Sequence, residues 1–159
     1  MNRKFLFILL SGLLFNSCWY SFTGKALPGI ESVAIPLFED RTAEFQIKEK
    51  LQAQLQTTFL EENIFKITSV TNADAVLNGV IVSVQDRTVS ISDQLRAAST
   101  EVRITVSVTL EEKKTGKVIF KQQVSGVGNY TVVSQRESAL EEAIEQLTTD
   151  IANRVLSDW

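Results

Sequence analysis

Few side chains in this sequence are placed to do chemistry, and Cys18, its only cysteine, is the most informative of them. A lone thiol supplies no intramolecular disulfide, so it is either modified or left over. Histidine is absent, which removes the usual general base near neutral pH and the commonest metal ligand. Glu61-Glu62 and Glu141-Glu142 are adjacent carboxylates, but neighbours on a helix point in different directions. Neither pair makes a dyad, and both read as solvated helix faces. Ser134 and Ser138 precede Glu137 and Glu141 by the spacing of a capping box, which makes them caps before nucleophiles. Glycine-rich phosphate loops and metal-ligand spacings are absent too. The reading is therefore of a non-enzyme without a cofactor or metal. What remains is charge. Arg87, Arg96, Arg103, Lys113, Lys114, Lys117 and Lys121 fall between residues 87 and 121. Such cations can meet the phosphates of a lipid or glycolipid. Lysines at hairpin tips equally serve solubility and edge protection. Arg87, Arg96 and Lys121 are the candidate glycolipid contacts.

The neighbourhood of Cys18 sets the compartment. Arg3 and Lys4 form a basic start, Phe5 to Phe15 an apolar run of eleven residues, and Ser17 a small residue before the thiol. A helix needs about twenty apolar residues to span a bilayer, so the run reads as an export signal that is removed. Leu14-Phe15-Asn16-Ser17-Cys18 resembles the lipobox of bacterial lipoproteins, departing from its usual form at Phe15 and Asn16. That resemblance implies acylation at Cys18 and attachment to a lipid bilayer; the rival is an ordinary secreted chain with a spare thiol. In a bacterial lipoprotein the sequon Asn129-Tyr130-Thr131 is accidental.

Loss of residues 1–17 leaves fourteen basic and nineteen acidic side chains, a net charge of −5. That balance argues against a general nucleic-acid binder, which needs a basic face. Residues 18–31 read as a lipidated tether and 32–159 as one domain with one core. Trp19, Tyr20 and Phe22 either sit at the membrane interface or pack on the domain.

The elements follow from periodicity. Ser32 to Phe38 alternates as a strand, at an edge or ending at Pro36. Glu39 to Thr42 reads as a turn, with Asp40 or Thr42 capping a helix over 43–62. Ile47, Leu51, Leu55 and Phe59, with Phe45 and Leu60, form its apolar stripe. Asn63 is its stop. A short strand within 64–70 precedes a nearly continuous apolar run over 75–85, which predicts a strand covered on both faces or central in its sheet. Thr100 to Glu111 alternates without a break, and Gly116 turns it into a partner strand at 117–133, with Gly126 and Gly128 predicting a bulge or bend. Leu140, Ile144, Leu147, Ile151 and Val155 mark a final helix, acidic in its first turns. The expected fold is α+β, a two-layer sandwich of about four mixed or antiparallel strands with two helices on one face.

Cys18 followed by Trp19-Tyr20-Ser21-Phe22-Thr23-Gly24, the strand Ile30 to Phe38, and this element order resemble LptE-type lipopolysaccharide-assembly lipoproteins, in particular a Bacteroidetes-like branch. The resemblance spans the mature chain. It implies an outer-membrane, lipid-anchored, periplasm-facing protein that assists and plugs an LptD-type β-barrel and binds lipopolysaccharide. Among motif residues only Cys18 carries over. The alternative is a periplasm-facing lipoprotein that binds a small ligand or peptidoglycan.

Overall fold

The structure, a computed structural model, describes residues 29–63, 65–89 and 99–157. Cys18, Arg96, the leader and most of the tether lie outside those residues. Eight elements follow in order: β1 Ser32–Ala34, β2 Glu39–Asp40, α1 Ile47–Glu61, β3 Lys66–Ile67, β4 Ala75–Val89, β5 Ser99–Glu112, β6 Val118–Tyr130 and α2 Arg136–Ser157. A 3-10 turn at Val133–Gln135 leads into α2. The sheet runs β3-β1-β4-β5-β6, with β2 beside β4 beyond the end of β1. The meander β4-β5-β6 is antiparallel, while β1 and β2 lie parallel to β4 and β3 parallel to β1. The α+β class is as predicted, with six strands rather than about four. β3 falls within the short strand expected over 64–70, and the addition is β2, two residues long and too short to show alternation.

One face of the sheet carries the core. Leu77, Leu110 and Phe120 form one row across β4-β5-β6, and Ile81, Val106 and Val124 another. Onto it α1 sets Ile47, Leu51, Leu55 and Phe59, and α2 sets Leu140, Leu147, Ile151 and Val155, all buried in a single cluster. Each such side chain stabilises by about 2 kcal/mol on leaving water. Where the helices meet, the Thr58 hydroxyl donates to Thr148 at 3.3 Å in a buried pair. The sequence pattern treats both as ordinary polar positions.

Several local expectations are corrected. α1 starts at Ile47, not near 43, and Phe45 and Leu60 are exposed rather than part of its stripe. Asp40 does not cap it. Its carboxylate accepts from the Thr42 amide and hydroxyl, both at 2.8 Å, and the Thr42 hydroxyl accepts from the Glu44 amide at 3.3 Å. Those local bonds compete with helix formation, and Gln46 enters α1 through a left-handed φ of 55°. Asn63 ends the helix at φ 50°, as predicted. Pro36 stops β1 after Ala34, yet β1 lies between β3 and β4 rather than at an edge. β4 is central but buried on one face only; Val82, displaced at a register shift between Ile81 and Ser83, is exposed.

Gly126 and Gly128 make no bulge. The β5–β6 register is continuous from Thr100/Tyr130 to Leu110/Phe120, and the shift comes between Leu110 and Glu111. A Cβ on Gly126 would stand 2.0 Å from the Ala143 carbonyl oxygen, and one on Gly128 1.9 Å from that of Ala139. The glycines let α2 lie with its backbone against β6. At α2 the predicted stripe is buried throughout. Ser138 falls inside the helix, and near its start the Thr131 hydroxyl donates to Gln135 at 3.2 Å.

Candidate functional site

Alternation fixes what the other face of the sheet displays. Residues paired with core positions' neighbours point away from both helices, giving the rows Asn78-Thr109-Lys121, Val80-Ser107-Gln123, Ser83-Thr105-Ser125, Gln85-Arg103-Val127 and Arg87-Glu101-Asn129. No described element covers this face. It is a hydroxyl- and amide-rich surface with a cation at each end. Of the sequence-derived candidates, Arg87 and Lys121 share it and are exposed. They are not one site: their rows lie eight residues apart along β5, about 27 Å at ~3.4 Å per residue.

Each cation has its own surroundings. Lys121 borders a hollow of about 400 Å³ with Leu37, Asn78, Ser107 and Thr109, and Glu39 on the rim. An ammonium, an amide and two hydroxyls there can hold a phosphate or sugar hydroxyl. Arg87 lies opposite Glu101, whose carboxylate is taken by Arg103 at 2.7 Å. The hairpin lysines do structural work instead. Lys113 donates to the carbonyls of Val70 and Thr71 at 2.8 and 2.5 Å, and Lys114 stands 4.0 Å from Asp74.

Two polar joints hold the ends of the molecule, and neither was read from the sequence. At the entry of the tether, the Asp74 carboxylate accepts from the Ser32 hydroxyl at 2.7 Å and from the amides of Ser32 and Glu31 at 3.1 and 3.2 Å. Those bonds, led by the Ser32 hydroxyl, hold its carboxyl below the usual range. At the opposite end, Arg136 of α2 forks onto Glu44 at 2.9 and 2.8 Å and reaches Asp86 of β4 at 3.1 Å. The Arg136 hydrogen bond lowers the Glu44 carboxyl, and Glu44 followed by Asp86 raises the guanidinium. Tyr130 donates to Asp86 at 3.3 Å. The sequence signal was thin, since a salt bridge between residues 44, 86 and 136 has no local spacing.

Among the described residues there is no metal-ligating group of three or more acidic, histidine or cysteine side chains. No described helix is long and apolar enough to cross a membrane.

A family model described as LptE, lipopolysaccharide-assembly, matches residues 30–155, the whole of the sheet and nearly all of both helices. The chain belongs to the LptE family. No curated protein matches it. Among solved structures, a minor lipoprotein of Acinetobacter baumannii superposes with a TM-score of 0.56 at 14% identity, covering 81% of this chain and 94% of that one. A hypothetical protein of Chlamydia trachomatis gives 0.59 at 10%, covering 79% and 95%. A protein of Xanthomonas campestris gives 0.59 at 12%, covering 80% and 83%. At such identities the likeness is one of fold. LptE proteins are accessory, outer-membrane-associated lipoproteins of lipopolysaccharide assembly, and membership gives this chain that general role.

Proposed function

We propose that this chain is exported, acylated at Cys18 after removal of residues 1–17, and held at the outer membrane facing the periplasm. There the domain assists and plugs an LptD-type β-barrel and contacts lipopolysaccharide. The observation that carries the reading is the family match over 30–155. The open, polar face of the sheet supports it, because a plug needs a large surface that hydrogen-bonds without burying its own core. Arg87 and Lys121 serve as separate anionic contacts on that face, one toward each end, and Arg96 is a third in the segment after β4. A molecule reaching both Arg87 and Lys121 must span about 27 Å, which suits a large glycolipid better than a small ligand.

The hollow beside Lys121 favours a second reading, a periplasmic lipoprotein with a small ligand. Pull-down of lipopolysaccharide by the mature chain separates the two. The first reading expects retention that falls several-fold on combined Arg87→Gln, Arg96→Gln and Lys121→Gln. The second expects no retention of lipopolysaccharide and no response to those changes.

A further inference from the structure

β6 is the last strand of its sheet, and its outer edge faces a groove of about 650 Å³ between itself and the flank of α2. The Val127 amide donates into this groove, to Gln146 at 2.7 Å, and the Asn129 amide to Glu142 at 3.4 Å. Those two amides therefore point away from β5. By the two-residue period of an antiparallel ladder, the amides of Lys121, Gln123 and Ser125 point the same way. None of the three has a hydrogen-bond partner among the described residues. Two of these five outward amides are thus satisfied by α2 side chains, and three present unpaired backbone groups over an extended stretch.

The lining of the groove carries the carboxylates of Glu142, Glu145 and Asp150, and at its end Arg154 bridges Asp150 to Gln122 of β6 at 3.0 and 2.7 Å. Glu142 and Glu145 have no ion-pair partner among the described residues. An edge strand beside a helix flank is the geometry of recognition by strand addition, where the main chain supplies affinity and the wall supplies selectivity. Edges left open in this way are ordinarily blunted by lysine on the edge or by a covering element. Here Lys121 stands at one end of the edge, and over the rest the flank carries Glu142 and Glu145, which pair with no cation among the described residues.

The geometry points to a binding site for an extended, basic polypeptide segment from another protein. The segment adds as a strand to β6 from Lys121 to Asn129. Its alternate side chains on the helix side are Lys or Arg, facing Glu142 and Glu145. Near Val127 and Asn129 its carbonyls replace the oxygens of Gln146 and Glu142. This site lies on the edge, not on the open face that carries Arg87 and Lys121, and it does not rest on the glycolipid reading.

The test uses the mature chain and three synthetic heptapeptides: alternating Thr-Lys, alternating Thr-Glu, and the Thr-Lys peptide with N-methylated backbone. Fluorescence anisotropy reads affinity, and amide hydrogen exchange reads the edge. The expected result is that the Thr-Lys peptide binds, slows exchange at Lys121, Gln123 and Ser125, and loses at least tenfold in affinity against Glu142→Lys/Glu145→Lys. The Thr-Glu and N-methylated peptides then bind at least tenfold more weakly. Gln123→Pro, which removes one outward amide, abolishes binding while the far-ultraviolet spectrum is unchanged. Equal binding of the N-methylated peptide would reduce the interaction to charge alone and overturn the proposal. So would unchanged exchange at the three amides, or no binding of the Thr-Lys peptide. If Gln123→Pro fails to fold, the N-methylated arm still decides.

Discussion

Arg136 does more for this molecule than any cation that the sequence singles out. It ties the start of α2 to Glu44 ahead of α1 and to Asp86 of β4, so one guanidinium fixes three segments distant in sequence. Arg136→Ala should cost about 2 kcal/mol, the scale of hydrogen bonds to charged groups, read as a lower urea midpoint with an unchanged slope. The two polar joints together set an acid limit. The Glu44 and Asp74 carboxyls are lowered from their ordinary values of 4.5 and 3.8. The stabilisation from each is fully present above its ordinary value and disappears as pH falls through the depressed one. Urea midpoints from pH 7 to 2.5 should therefore drop below about pH 4.5, and Glu44→Gln should lose its share at neutral pH and flatten that drop. A midpoint that falls equally steeply in Glu44→Gln would contradict the assignment.

Elements were legible wherever one face is buried and the run is long. The five apolar positions of the α2 stripe and the five of β5 are all buried, because periods of 3.6 and 2 leave little room for error over five repeats. Of the polar positions between those of β5, only Thr105, bonded to Ser125, departs from the alternation by being buried. The start of α1 was not legible, since bonds from Asp40 and Thr42 to nearby amides offer the backbone an alternative that periodicity does not register. Gly126 and Gly128 were legible as special, though for the wrong reason. The pattern signals missing side chains, and only the packed structure tells a bend from a close approach. Their role leads to a prediction. Gly128→Val must push α2 off β6 at Ala139, an overpacking of about 3 kcal/mol, which thermal unfolding should show as a loss of roughly 10 °C or more. A glycine that only shaped a bulge would instead leave the melting temperature nearly unchanged. Within the core, Leu147→Ala should cost about 2–5 kcal/mol through the cavity it leaves in the contact with α1 and the sheet.

At the scale of the whole molecule, the asymmetry of the sheet organises everything else. One face is closed by two helices and carries all the stability. The other is polar, displays Arg87 and Lys121, and is free to meet something larger than a small ligand. The tether joins at the Asp74–Ser32 joint, at the start of β4, whereas Asp86 of the Arg136 joint and Arg87 lie toward its far end, twelve and thirteen residues along from Asp74 or about 40 Å away. With the proposed anchor at Cys18, one end would be held near the bilayer while the far end works at a distance from it. Asp74→Ala should loosen that entry, speeding amide exchange at Glu31 and Ser32 while leaving β5 protected.

The candidate site was only partly legible, for a related reason. Type and charge single out Arg87 and Lys121, but their 27 Å separation emerges only from the register, and the joint at Arg136 only from the fold. The central claim concerns the partner. Purification of the full-length chain through a C-terminal tag from detergent-extracted outer membranes, with mass spectrometry of what accompanies it, tests that claim most directly. The account predicts a large outer-membrane β-barrel of the LptD type in near-equal amount. Recovery of the chain as a lone monomer would contradict it.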